Sequence, residues 1–474
     1  MMFVDNALAT RQQLSADIHR PRYHFLPPSN WMNDPNGVIQ WKGQYHLFYQ
    51  YNPNAAFWGD MHWAHAVSSD LVHWRDLPIA IAPTPGGPDA GGVFSGCIVN
   101  QNGRPVAIYT GVGGPKGQVQ CVAFGSDDLM TWEKHPGNPV LSDIPAEANQ
   151  NVDFRDPFVW QQDDKWYMVV ASAIKDVGGT VFLYQSDDLI HWQYLHPLMT
   201  GDAVQDGHTW ECPNFFELDG KWVLIISPIP VPPAANRVFY QVGTYENHRF
   251  TPEVEGFIDH AYLYAPLTTL DEMGRRLMWG WLREGRAVEA HSRAGWAGMQ
   301  SVPRELYLDA QNRLNWRPVP EIETLRGNHH HCANLTLSGE ADLGVRGLAL
   351  DIVADIELAP HGAVTFLVAA SADEHTDITY YADTAELVVN RDKSSSSAHD
   401  QRHPHRVPHV LDAGETLQLR ILLDGSALEI IANHRTSVST RIYPANPASD
   451  AVRLTGQNAL VRSLDIYEMR SIWQ

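Results

Sequence analysis

The chain has 474 residues, with 34 Lys and Arg against 55 Asp and Glu, for a formal net charge of −21 and a pI near 5.4. That balance argues against nucleic-acid and anionic-membrane partners, and no apolar stretch approaches the ~20 residues of a membrane span. The length leaves room for two domains, and four cysteines without paired spacing (Cys97, Cys121, Cys212, Cys332) indicate neither a disulfide frame nor a zinc site.

Residues Met1–Val4, followed by Asp5 and Asn6, lack the charged start and apolar core of a signal peptide. The expectation is a cytoplasmic protein with reduced thiols. Five hairpins then follow in order. Asp34, in Trp31-Met32-Asn33-Asp34-Pro35-Asn36-Gly37, precedes Gly37–Trp41, a Lys42-Gly43 turn and Tyr45–Gln50. Phe94-Ser95-Gly96 leads into Cys97–Asn100, an Asn102-Gly103 turn and Val106–Thr110. Asp156, in Phe154-Arg155-Asp156-Pro157, precedes Phe158–Gln162, an Asp163-Asp164 turn and Lys165–Ala171. Glu211, in Trp210-Glu211-Cys212-Pro213, precedes Asn214–Leu218, an Asp219-Gly220 turn and Lys221–Ser227. Tyr264-Ala265-Pro266 leads into Leu267–Leu270, a Met273-Gly274 turn and Leu277–Trp281.

A second marker lies behind three of these hairpins, where an apolar run enters an Asp-rich turn and leaves through Trp74, Trp132 or Trp192. Hairpin plus marker reads as a four-stranded unit. Five units without long helical periodicity between them predict an all-β protein whose first domain is a five-bladed β-propeller, residues 1–320 with a short N-terminal extension. A connector over 321–332 and a β-sandwich over 333–474 complete the expected organisation, with strands at Leu348–Leu358, Ala363–Ala369, Leu417–Leu423 and Ala427–Ala432. The Ser394–Ser397 run and its sequel to His409 read as a mobile loop.

Equal phase in a radial repeat means equal position in space, so Asp34, Asp156 and Glu211 are expected to meet at one end of the propeller axis. Trp31, Trp58, Trp63, Phe94, Trp210 and Trp281 fall near the same ends, and aromatic walls with convergent polar groups hold sugar rings. Trp74, Trp132 and Trp192 read instead as packing between blades. His329-His330-His331-Cys332 has no spaced partners, so no metal is expected, and none at His403, His405 and His409. Cys212 lacks a suitably spaced His and reads as a packing residue.

The Trp-Met-Asn-Asp-Pro-Asn-Gly, Phe-Ser-Gly, Phe-Arg-Asp-Pro and Trp-Glu-Cys-Pro segments, in this order, resemble those of glycoside hydrolase family 32, the β-fructofuranosidases. Gly295–Gly298 with Ser301–Arg304, Leu422–Glu429 and Arg435–Pro444 extend the likeness over nearly the whole chain. The resemblance implies a cofactor-independent furanosidase with Asp34 as nucleophile, Glu211 as acid/base and Asp156 as transition-state stabiliser. It implies a fructose pocket lined by Asn33, Gln50, Trp58, Phe94, Ser95, Arg155, Tyr264 and Trp281. Many bacterial members carry Asp-Phe-Tyr-Ala-Pro-Gln where this chain has Tyr262-Leu263-Tyr264-Ala265-Pro266-Leu267, and Asp259 is the expected substitute for the missing acid.

Chemistry requires the two working carboxyls in different protonation states. Hydrogen bonds from Asn33 and turn amides are expected to keep Asp34 ionised, and apolar burial to keep Glu211 protonated. The preferred substrates are sucrose and short fructo-oligosaccharides; sucrose 6-phosphate or longer fructans are the alternatives, with Arg237, Arg283 or Arg286 as candidate phosphate partners. An inverting arabinan-cleaving propeller and a non-catalytic sugar-binding propeller are the rival readings.

Overall fold

The computed structural model describes residues 2–148, 153–230, 237–397 and 402–473. Five antiparallel sheets stand around one axis as a five-bladed propeller, and a β-sandwich follows. The innermost strands are Asn30–Trp41, Gly92–Gln101, Arg155–Gln162, Thr209–Leu218 and Leu263–Leu270. Each touches the next around the ring, and the fifth touches the first.

The hairpins form where their turn chemistry allows. Lys42-Gly43, Asn102-Gly103, Asp163-Asp164 and Asp219-Gly220 all have positive φ at both positions, the geometry that matches strand twist in a two-residue turn. The fifth hairpin turns more widely, and the Asp271 carboxylate accepts the N–H groups of Met273 and Arg275. In the marker turns, Leu71, Leu129 and Leu189 adopt φ of 66°, 59° and 70°. The indole N–H of Trp74, Trp132 and Trp192 donates to those same leucine carbonyls at 3.2, 3.1 and 3.0 Å. These tryptophans lock turns and pack between strands.

Ring closure falls to a short segment. Trp296–Ala297 pairs in parallel with Asn30 and Trp31 of the first blade, while Met299–Gln300 pairs with Trp281 and Leu282 of the fifth. Gly298 between them has φ +76°, and a Cβ there would sit 2.0 Å from the Met32 carbonyl oxygen. Only glycine fits so close an approach.

The last propeller strand ends at Pro318, a 3-10 turn spans Pro320–Leu325, and the first sandwich strand is Arg326–Arg346. Residues from Arg326 onward, read as connector, are therefore strand, with His329, His330 and His331 paired to Tyr467, Ile466 and Asp465. The strand is mostly exposed and polar, so its sequence lacks the alternation that marks half-buried strands. Two long bent strands, Ala349–Ala370 and Ala451–Met469, carry the sandwich, and the first spans two stretches that sequence alone separates.

Residues 398–401 of the expected mobile loop lie outside the described residues. The described part is held: Ser394 and Ser395 are buried, Glu374 accepts the Ser396 N–H at 2.6 Å, and His405–Pro408 is a strand. A helix at Met2–Leu14, not expected from the sequence, docks on the first blade through Arg11, which forks onto Asp76 at 2.8 and 3.1 Å. No helix among the described residues is long and apolar enough to cross a membrane.

A buried charge network joins the two domains. His24 contacts Asp424 and Glu429 at 2.9 Å each, and Glu429 also pairs with Arg304 and accepts the Val302 N–H at 2.8 Å. Burial favours neutral forms, yet Asp424 and Glu429 push His24 up to about 9, and Arg304 with His24 holds Glu429 at about 2. Glu429→Gln strands Arg304 in the interior and is expected to cost about 3–5 kcal/mol at neutral pH. Wild-type stability from Glu429 is present above the ordinary carboxyl pKa and fades as pH falls toward 2, so the deficit is expected to shrink in acid. Denaturant titrations at pH 7 and pH 3 check this; superimposable curves at pH 7 would refute it.

Candidate active site

Every innermost strand breaks its ladder at the same height. Register shifts fall at Met32/Pro35, Val93/Gly96, Glu211/Asn214 and Tyr264/Leu267, and on the third blade opposite Asp156. In four blades Pro35, Pro157, Pro213 and Pro266 offer no N–H to the ladder and the strand bulges to pass them; in the second, Gly96 takes the equivalent place, where a Cβ would sit 2.1 Å from the Ile108 carbonyl oxygen. Asp156, Cys212 and Ala265, each just before its proline, take φ of 62°, 47° and 47°.

Aligning the blades on Pro35, Gly96, Pro157, Pro213 and Pro266 corrects the expectation of equal phase. Asp34, Ser95, Asp156, Cys212 and Ala265 form one ring, next to the prolines. Asn33, Phe94, Arg155, Glu211 and Tyr264 form the ring above it. Glu211 stands one residue out of step with the two aspartates. The sequence carries the reason: Asp34 and Asp156 precede proline directly, whereas Cys212 intervenes between Glu211 and Pro213.

The two rings make two environments that open on one cavity of about 550 Å³. In the lower ring, the Ser95 hydroxyl donates to Asp34 at 2.6 Å, with Asn33 Nδ2 at 3.2 Å and the Cys212 thiol at 3.6 Å. Asp156 accepts the Cys212 N–H at 3.0 Å and its thiol at 3.4 Å, and Thr110 Oγ1 accepts the Asp156 N–H at 2.9 Å. In the upper ring, Glu211 Oε1 accepts Arg155 Nη2 at 2.7 Å and Nε at 3.2 Å, and Oε2 accepts the Tyr264 hydroxyl at 2.5 Å.

Electrostatics follow the rings. Burial pushes Asp34 up to about 6, against its hydrogen bond from Ser95 and aided by the Glu211 charge. Burial likewise pushes Asp156 up to about 7, opposed by Arg155 and aided by Glu211 and Asp34. Asp34 is thus a strongly buried carboxyl, whereas Glu211, expected in apolar surroundings, pairs with the Arg155 guanidinium and the Tyr264 hydroxyl. Trp210, the supposed apolar neighbour, turns away and donates to the Asp206 carbonyl at 2.8 Å.

Residues 24–318 match the glycosyl hydrolases family 32 N-terminal domain, and residues 321–468 match the family's C-terminal domain. The chain belongs to glycosyl hydrolase family 32. The levanase of Bacillus subtilis (strain 168) is 34% identical over 96% of this chain and 71% of its own length. The sucrose-6-phosphate hydrolase of Escherichia coli is 33% identical over 93% of this chain and 92% of its own. The fructan 1-exohydrolase IIa of Cichorium intybus superposes with a TM-score of 0.87 at 29% identity, covering 96% of this chain and 98% of that one.

Within this family 32 enzyme, Asn33, Gln50, Trp58, Phe94, Ser95, Arg155, Tyr264 and Trp281 line the cavity with the three acids. Trp58 stands exposed at the rim, edge-on to Phe94 at 5.9 Å. Trp31 and Trp63 lie behind the wall and hold it: Trp31 donates to Asn33 Oδ1 at 2.8 Å, and Trp63 to the Phe94 carbonyl at 3.0 Å.

Asp259 is not brought to the cavity. It is fully buried at the domain junction, where its carboxylate accepts the Ala261 N–H at 2.8 Å, the Ser437 hydroxyl at 3.0 Å and the Ser439 N–H at 3.2 Å. Three wall residues escaped sequence reasoning: Gln118, Asp153 and Cys212. Asp153 pairs with Arg155, and its place two residues upstream was a usable signal. Gln118 comes from the third strand of blade 2, outside any motif. Cys212, read as packing, touches both aspartates.

Proposed function

We propose that this chain is a retaining, exo-acting β-fructofuranosidase that hydrolyses sucrose and short fructo-oligosaccharides. The observation that carries the reading is the two-level arrangement of acids facing one cavity: Asp34 and Asp156 beside the proline ring, Glu211 above them. A fructosyl unit whose anomeric carbon rests over Asp34 presents its leaving oxygen to the upper ring. Asp34 attacks that carbon, and Glu211 gives its proton to the departing sugar. Glu211 then takes a proton from water, which hydrolyses the fructosyl ester.

Sugar binding also supplies a route to the working protonation state. Hydroxyl donors set against Asp156 and Asp34 favour their ionised forms. Asp156 accepts hydrogen bonds from ring hydroxyls that strengthen as positive charge develops.

Substrate choice rests on charge. Among the described residues, Asp34, Asp153, Asp156 and Glu211 face Arg155 as the one basic lining residue, so a phosphoryl group meets net repulsion. Of the arginines considered as phosphate partners, Arg286 forks onto Glu284 at 2.9 and 3.0 Å. Arg283 lies against the Tyr264 ring at 5.3 Å and donates to the Ala261 carbonyl, and Arg237 lies over Phe257. None lines the cavity. A cavity of about 550 Å³ walled by Trp58, Phe94 and Trp281 favours terminal units and hence exo cleavage.

The test is kcat/KM for sucrose, sucrose 6-phosphate, 1-kestose and inulin, with NMR of the nascent product. Sucrose and kestose are expected to lead by at least roughly 10-fold, about 1.4 kcal/mol of transition-state binding. The fructosyl carbon is expected to retain configuration, as for carboxyls roughly 5–5.5 Å apart. A lead for the phosphate or the polymer would overturn the substrate, initial inversion the mechanism, and absence of sugar release would leave a binding propeller.

Ser95→Ala tests the nucleophile's electrostatics. Its hydroxyl supports the charged form of Asp34, so its loss raises a carboxyl that already sits at about 6. A nucleophile is lost as pH falls through its pKa, so the acid limb of kcat/KM is expected to move up by about 1 pH unit. Coincident acid limbs for the two proteins would count against Asp34.

A further inference from the structure

The first and last strands of the sandwich pair so that His331 stands opposite Asp465 and His329 opposite Tyr467. Side chains alternate along a strand, so His329, His331, Asp465 and Tyr467 share one face and His330 takes the other. The partner for this histidine run is thus 134 residues downstream, beyond the reach of a spacing argument. His329 Nε2 and His331 Nδ1 both lie 2.8 Å from the same oxygen, Asp465 Oδ1. All three ligand atoms lie within 4.8 Å of one another, and donors around a tetrahedral zinc stand about 3.3 Å apart.

The surroundings orient these groups. The His329 ring stacks on Tyr467 at 4.4 Å and 9°, and Arg326 lies over the other part of that stack, 4.1 Å from the Tyr467 ring. Arg326 and Arg420, the nearby cations, pair with Asp351 at 2.8 and 2.9 Å and with Glu323 at 3.0 and 3.5 Å, so two carboxylates offset their charge. Asp465 and Tyr467 also border a cleft of about 320 Å³, which gives a fourth ligand access. Two imidazoles, one carboxylate and an open position suit zinc-class divalent ions better than calcium or magnesium.

We propose that His329, His331 and Asp465 form a zinc-class cation site on the outer face of the C-terminal sandwich, tying its first strand to its last. The test uses tag-free, chelator-stripped full-length protein titrated with Zn²⁺ by calorimetry. One equivalent per chain is expected to bind saturably. Asp465→Asn and the His329→Ala/His331→Ala double variant are expected to weaken binding at least 10-fold, whereas His330→Ala leaves it unchanged. Sucrose hydrolysis is expected to be the same in every variant, which reports that each has folded. Zinc is also expected to raise the melting temperature of wild type and not of Asp465→Asn. Non-saturable uptake, binding indifferent to Asp465→Asn, or equal loss in His330→Ala would overturn the proposal.

Discussion

Asp34→Asn is expected to lower kcat on sucrose by roughly 10⁴- to 10⁶-fold, the scale seen when a covalent nucleophile is removed. The amide keeps the shape of the side chain and can still accept the Ser95 hydroxyl, but it cannot form the fructosyl ester. The same substitution is expected to firm the fold. Burial raises Asp34 to about 6, so its charged form is held less comfortably in the folded protein than in the unfolded chain. Stability from such a group is present below the ordinary carboxyl pKa of ~3.9 and is lost as pH rises through 6. The variant is therefore expected to melt above wild type at pH 8 and alongside it at pH 3. Activity and melting temperature together separate a lost nucleophile from a lost fold. Residual turnover within 100-fold of wild type would remove Asp34 from the covalent step.

The same contrast between site and fold governs how much the residues disclose in advance. The five blades are legible because each hairpin declares itself locally, through pairs such as Asn102-Gly103 and Asp219-Gly220 that adopt positive φ cheaply. The closing segment is legible once Gly298 is seen to face the Met32 carbonyl, a contact no local pattern reports. The catalytic level is half legible. Proline marks the bulge in four of the five strands, so counting back from Pro35, Pro157 and Pro213 places the acids in two rings, whereas counting motifs alone merges them. Asp259 misled because an acid upstream of a departing motif invites a role in the pocket. Its real partners, Ser437 and Ser439, lie in the other domain, and a long-range contact leaves no periodic trace. The strand Arg326–Arg346 escaped for a different reason: exposure on both faces removes the alternation that marks a half-buried strand. His329 and His331 lie on that strand, and their meeting with Asp465 becomes visible only with the register.

Glu211→Gln separates the acid from the nucleophile by leaving group. Gln keeps a carbonyl for the Arg155 N–H groups but carries no acidic proton. Turnover of sucrose, whose leaving alkoxide needs that proton, is expected to fall by roughly 10²- to 10⁴-fold. An aryl fructoside releases a stabilised phenolate without help, so its first step is expected to keep most of the wild-type rate. The second step still lacks a base for water, so the fructosyl enzyme is expected to accumulate and phenol to appear as a burst followed by a slow phase. Asp156 is the rival proton donor, since burial holds it at about 7 in the free site. It lies in the lower ring beside Asp34, with the Cys212 N–H and thiol directed at it, on the wrong level for an oxygen leaving toward Arg155 and Tyr264. If Glu211→Gln slowed both substrates equally and Asp156→Asn produced the burst instead, the proton would belong to Asp156, and the upper ring would serve only to bind the leaving sugar.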